Sequence, residues 1–199
     1  SLSADLLKHL DPVPISRQRE GLEVINSQAK NLTAFLDSYH RLTHLPEPEY
    51  KMVTIQALFT KLERLLQAEP GSERIVYSGG KAGKSTDKEL QIYGDVNLVT
   101  LALINLIRNA LQAVEGQWDG IVRVDAYAGA TGRLFITITD NGPGIPPERL
   151  SAVFTPFYST KSGGSGIGLP ISQRIMQLHG GQLSVLSIQN VRTTFKMEF

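Results

Sequence analysis

Apolar residues recur three and four positions apart over 19–45, at Leu22, Ile25, Ala29, Leu32, Leu36 and Tyr39. This spacing predicts a helix with a narrow apolar seam, of the kind that joins helices in coiled coils and bundles. Pro46-Glu47-Pro48 then uncouples it from the residues beyond. Ahead of it, Leu2, Leu6, Leu7 and Leu10 form a short cluster closed off by Asp11-Pro12-Val13-Pro14. Past residue 48 the period changes. Residues 51–53 fit a short strand, Thr54 is a suitable N-cap for a helix through Gln67, and Pro70-Gly71 ends that helix. Residues 74–78 and 88–93 read as strands on either side of a flexible loop at 79–84, and Asp95 caps a long apolar helix from Val96 to about Val114. Alternating apolar positions predict one hairpin from 121–128 and 133–140, and another from 183–187 and 192–199. Between the hairpins a glycine cluster opens a helix that runs to Leu178.

Strands and helices interleave here without a regular βαβ rhythm. The predicted class is α+β: a two-layer sandwich of a mixed β-sheet with helices on one face, preceded by an N-terminal α-helical segment. The chain divides into a helical segment at 1–47 and a compact domain at 48–199, and 41% hydrophobic residues in 199 suffice for one such core with an appendage. Twenty basic residues against 19 acidic ones leave no global field to draw the protein onto nucleic acid or a membrane, so any anion binding is local. The absence of cysteine excludes disulfides and thiolate metal sites. No apolar run approaches the roughly 20 residues that span a bilayer, and no secretory signal is present. The first residue is Ser rather than Met, as expected for a piece of a longer protein.

The chemistry is concentrated between Leu134 and Leu178. An alternating strand delivers Asp140 to its end, Asn141-Gly142-Pro143-Gly144 turns sharply, and Gly164, Gly166 and Gly168 lead into a helix. Asp140 is an acceptor-only carboxylate suited to the exocyclic amine of adenine, where guanine would present a carbonyl oxygen. Gly142 and Gly144 let a flat base approach the backbone, and the second cluster bares N–H groups at a helix start, where phosphate is favoured. On the long helix, Asn105 and Asn109 are four apart and share one face. Amides on so apolar an element either bond a neighbouring loop or, as the glycine motifs favour, serve a ligand. The amide oxygen of Asn109 then joins a Mg²⁺ shell otherwise filled by water and phosphate oxygens.

Taken together, these motifs resemble the ATP-binding catalytic domain of sensor histidine kinases, in the superfamily that includes gyrase, Hsp90 and MutL ATPases. Asn105-Leu-Ile-Arg-Asn109-Ala-Leu-Gln is similar to the N box, Asp140-Asn-Gly-Pro-Gly144 to the first glycine box, Phe154-Thr-Pro-Phe157 to the phenylalanine box and Gly164-Ser-Gly-Ile-Gly168-Leu169 to the second glycine box. The resemblance implies ATP and Mg²⁺ as cofactors, with Asp140 on adenine and Asn109 on the metal. The implied contact set is Asn109, Asp140, Gly142, Gly144, Ile145, Phe157, Thr160, Lys161, Gly164, Ser165, Gly166, Ile167, Gly168 and Leu169. Asn105, Asn109 and Lys161 bear on catalysis, and 158–164 forms a lid that Phe154 and Phe157 anchor by packing. The N-terminal helix is similar to the second helix of the family's dimerisation domain, which implies a homodimer through 20–45.

The chain departs from the family pattern in two places. Gln112 stands where many relatives carry a basic residue, which leaves Lys161 and Arg108 to neutralise phosphate. No stretch resembles the phosphoacceptor box, because His9, His40, His44 and His179 all lie in the wrong context. His40 and His44 read as solvated helix-end residues, the basic loop 81–84 as solvated, and His179 as a helix C-terminal residue capped by Gly180 and favoured there by partial positive charge. The resemblance therefore implies a cytoplasmic kinase fragment that transfers the γ-phosphoryl of ATP to a histidine on a helix absent from this chain, for relay to a response regulator. The alternatives are an ATP-hydrolysing clamp or a nucleotide-binding interaction module. Clamp relatives carry a general-base glutamate four residues before the Mg²⁺ asparagine, and here that position is Asn105.

Overall fold

A computed structural model describes residues 21–29, 33, 36, 45–79, 89–160 and 164–199. The chain separates into two compact units, Ser1–Thr43 and His44–Phe199. In the first, residues 21–29 are helical, and Leu22, Ile25, Ala29 and Leu36 of the predicted seam are exposed. Leu32 and Tyr39 of that seam, the cluster at 2–10, His9, His40, His44, the loop 81–84 and Lys161 lie outside the described residues.

The second unit is built from two sheets rather than one. Strands β1 (Lys51–Thr54) and β3 (Gln91–Gly94) pair antiparallel in a small ribbon of their own. The main sheet is mixed and runs in the order β2 (Ile75–Gly79), β4 (Val122–Ala128), β5 (Leu134–Asp140), β7 (Arg192–Glu198) and β6 (Gln182–Ile188). The β2–β4 pair is parallel and every other pair is antiparallel. Helices α1 (Ile55–Leu66), α2 (Val96–Ala113) and α4 (Gly168–Leu178) carry the opposing layer. A short helix, α3 (Pro147–Leu150), comes after the first glycine turn.

Each layer follows from its period. In β4, Val122, Val124 and Ala126 alternate inward, and Ile136 and Ile138 do so in β5. On α2 the spacing of Leu98, Val99, Ala102, Leu103, Leu106, Ile107 and Ala110 buries a broad stripe. This helix is apolar and long enough to cross a membrane by length and composition, yet its apolar face is the centre of the domain core. Arg74, from the turn after α1, donates to the Val114 carbonyl at 2.7 Å and closes the far end of α2.

Asp95 closes the near end. Its Oδ1 accepts from the backbone N–H of Asn97 (2.8 Å) and Leu98 (3.0 Å), and Oδ2 accepts from that of Glu49 (2.8 Å). Burial alone raises the pKa of this carboxylate. The backbone donors of Glu49, Leu98 and Asn97 outweigh that effect and hold it below the usual value. Asp95→Ala is expected to cost about 2 kcal/mol at pH 7, since it strips a cap and leaves backbone donors unmet. A depressed folded-state pKa means that the carboxylate's contribution is complete above about pH 3.9 and is lost as pH falls through the lower folded-state value. Denaturation curves of the wild type and Asp95→Asn should therefore differ most near neutral pH and converge in strong acid.

His179 ends α4, with Gly180 next at a φ of +66° as predicted, but its ring is not held as a cation. Nδ1 lies 2.7 Å from the Ile175 carbonyl, which can only accept, so Nδ1 carries the proton. Nε2 accepts the Asp95 N–H at 2.9 Å and therefore carries none. The imidazole is neutral and bridges the end of α4 to the start of α2, with the Tyr50 ring edge-on against it at 5.5 Å.

Candidate functional site

The apolar stripe of α2 leaves its opposite face free for Asn105, Arg108, Asn109, Gln112 and Ala113, spaced three and four apart. These residues form one wall of a cleft of about 620 Å³. The sheet contributes Asp140, Thr193 and Phe195, the first glycine turn contributes Pro143, Gly144, Ile145 and Pro146, and the other wall comprises Tyr158, Ser159, Thr160 and the run from Gly164 to Leu169.

Asp140 ends β5 and is only 2% exposed. Its Oδ1 accepts from the Gly142 N–H at 3.0 Å, which folds the turn back on the strand. Asn141 staples the turn to the preceding loop, accepting from Ile121 N–H (2.8 Å) and donating to the Asp119 carbonyl (2.9 Å). The β6–β7 hairpin holds the turn from the other side: Asn190 N–H donates to the Pro143 carbonyl at 2.7 Å, and Ile145 N–H donates to Ser187 Oγ at 2.8 Å. These bonds explain why a glycine-rich turn is held in one geometry.

At the opposite end, α4 begins with Ile167 as its N-cap and has no side-chain cap, so its first backbone donors open toward the cleft. Asn105 lies beside it, its amide nitrogen 3.5 Å from the Gly168 carbonyl. Asn109 is half-buried and lines the cleft, and no described residue bonds its amide. Asn105 thus contacts the start of a neighbouring helix, whereas Asn109 faces the cleft.

Twelve of the residues expected to serve the site border this one cleft: Asn105, Asn109, Asp140, Gly144, Ile145, Thr160, Gly164, Ser165, Gly166, Ile167, Gly168 and Leu169. Gly142 and Phe157 do not. Gly142 is buried behind Asp140 against the Ala113 carbonyl, where an added Cβ would sit at 2.9 Å. Phe157 adopts a φ of +66° and donates its N–H to the Gly166 carbonyl at 3.0 Å. It is 40% exposed, and the bond to Gly166 ties the residues before Thr160 to the second glycine cluster. Thr193, Phe195, Arg149 and Val153 line the cleft without any motif to announce them. Thr193 arrives because β7 pairs with β5 in a register that sets it opposite Asp140.

Comparison with known proteins gives this cleft its context. The family model for the histidine kinase-, DNA gyrase B- and HSP90-like ATPases matches residues 94–199, which hold both glycine motifs and the asparagine pair. The chain belongs to this family. Over 105 residues it is 41% identical to the sensor histidine kinase ZraS of Salmonella typhimurium (strain LT2), covering 53% of this chain and 22% of ZraS. Over 188 residues it is 27% identical to the signal transduction histidine-protein kinase AtoS of Escherichia coli (strain K12), covering 94% of this chain and 29% of AtoS. The chain thus spans under a third of the length of these curated relatives. The catalytic domain of histidine kinase ThkA superposes with a TM-score of 0.62 at 25% identity, over 76% of this chain and 95% of that one. The fold is that of a histidine kinase catalytic domain, the α+β sandwich expected from the strand and helix order, and its cleft is of the ordinary size of a small-molecule pocket.

Proposed function

We propose that this chain is the ATP-binding catalytic fragment of a two-component sensor histidine kinase. It transfers the γ-phosphoryl of ATP to a histidine on a dimerisation helix outside this chain, for relay to a response regulator receiver domain. The observation that carries the reading is the arrangement of one cleft: a buried carboxylate at one end, a helix N-terminus whose N-cap side chain makes no bond at the other, and between them an amide that no described residue bonds. Asp140 accepts from the adenine amine, the first turn of α4 receives phosphate, and Asn109 supplies one oxygen to Mg²⁺. The ion, when bound, neutralises charge on the phosphates and holds them in line. Tyr158, Ser159, Thr160 and Gly164, which line the cleft, stand beside the phosphates and help to exclude water.

Asn105 favours transfer over hydrolysis, because an amide cannot take a proton from water at neutral pH. The exposed seam of Leu22, Ile25, Ala29 and Leu36 serves homodimerisation through 20–45. The fragment works in the cytoplasm, where ATP is present, without contacting membrane or nucleic acid.

Incubated with Mg²⁺ and γ-labelled ATP, the protein is expected to label a separately supplied acceptor helix and to carry no acid-labile phosphate itself. Self-labelling, or rapid hydrolysis without an acceptor, would overturn this assignment. Asn109→Asp should shift the Mg²⁺ concentration needed for ATP binding by roughly tenfold while sparing metal-free AMP binding. Equal loss of both in a folded variant would remove Asn109 from the metal site.

A further inference from the structure

Gln112 leaves α2 without a cation at the position where a triphosphate needs one, and the structure offers a replacement one turn earlier. Arg108 stands four residues before Gln112 on the same stripe and borders the cleft beside Asn105 and Asn109. Its guanidinium is gripped along one edge by Glu69, in the turn after α1: the Glu69 Oε1 accepts from Nε at 3.1 Å and also from Nη2. Nη1 has no partner among the described residues. Both side chains are partly exposed, at 52% for Arg108 and 27% for Glu69, so water screens the pair and its worth to the fold is small. A planar fork held along one edge does offer a fixed second edge, the geometry that matches two phosphate oxygens.

We propose that Arg108 is the phosphate-binding cation of this site, meeting the β- and γ-phosphates of bound ATP, and that Glu69 is the residue that positions it. The inference rests on the nucleotide reading above and adds its missing positive charge. A free arginine loses many rotamers on meeting a ligand, whereas one already tied to Glu69 has given up most of that freedom in advance. Arg149 also borders the cleft, from the short helix α3, but no described residue holds its guanidinium. Anchoring is what separates the two arginines.

The test is calorimetric titration of ATP and of AMP into the wild type, Arg108→Ala, Arg149→Ala, Glu69→Ala, Glu69→Gln and the Arg108→Ala/Glu69→Ala double variant, with a thermal melt of each. Arg108→Ala should weaken ATP roughly 10- to 30-fold and AMP by less than about twofold. Glu69→Ala should weaken ATP about threefold to fivefold in the wild-type background and have no further effect once Arg108 is gone. Glu69→Gln, which keeps an acceptor oxygen, should lie nearer the wild type than Glu69→Ala does. The proposal is overturned if Arg108→Ala weakens ATP and AMP alike, if Glu69→Ala costs the same with or without Arg108, or if Glu69→Ala tightens ATP, which would make Glu69 a competitor for the cation. Transfer of the ATP preference to Arg149, seen as its loss in Arg149→Ala alone, overturns it as well. In each of those cases ATP still binds and the nucleotide reading survives; failure of the wild type to bind either nucleotide would remove both.

Discussion

Asp140→Asn is expected to weaken ATP binding by about a hundredfold while leaving the fold in place, the largest effect of any isosteric change in the cleft. The amide oxygen of Asn can still accept the Gly142 N–H that Asp140 now accepts at 3.0 Å, so the turn keeps its tie to the strand. The amide nitrogen must then occupy the place of the second carboxylate oxygen, where it presents hydrogens to the hydrogens of the adenine amine. Two facing donors in a site that is 2% exposed cannot turn to water for relief. Titration with ATP and GTP separates this from general damage. The loss should fall on ATP, because the guanine carbonyl can accept from the new amide. Unchanged ATP affinity in a folded variant would remove Asp140 from base recognition.

Gly144→Ala is expected to cost about 3 kcal/mol or more of stability. Gly144 sits at a φ of +72°, and a Cβ there would lie 2.5 Å from the Ile188 carbonyl oxygen and 2.8 Å from Gln189 Cα. Both obstacles are backbone, so relief requires lifting the turn off the β6–β7 hairpin. That movement breaks the Asn190-to-Pro143 and Ile145-to-Ser187 bonds and displaces residues that line the cleft. Gly132→Ala is the internal comparison, since its φ is +80° but nothing lies within 4 Å of its added Cβ. It should cost only the left-handed backbone term, about 1–2 kcal/mol. Guanidinium denaturation of both variants checks the difference, and equal losses would mean that hairpin contact contributes nothing.

The contrast between these two glycines indicates how much of the molecule could be read beforehand. Both sit in glycine turns after or between predicted strands, and the sequence marked each as a turn. That Gly144 is jammed against a hairpin far along the chain depends on β7 pairing with β5 and β6 with β7. The same holds for the ribbon of β1 and β3: each strand was legible from alternation, yet their separation from the main sheet was not, because alternation describes a strand's faces and not its neighbours. His179 was readable as a helix end. Its neutral ring was not, because Asp95 is 84 residues away along the chain.

What the order of residues determined was the chemistry available and the local geometry. An acceptor-only carboxylate at a strand end, amides on one helix face and glycines before a helix are properties of single residues and short spacings, and these sufficed to name the family and most of the cleft. Tertiary structure decided who meets whom. Pairing registers set Thr193 beside Asp140, the hairpin clamped the first glycine turn, and Glu69 reached Arg108 across 39 residues. Such contacts arise when separate elements bury their apolar faces against one another, and that packing brings together polar groups that no local pattern connects.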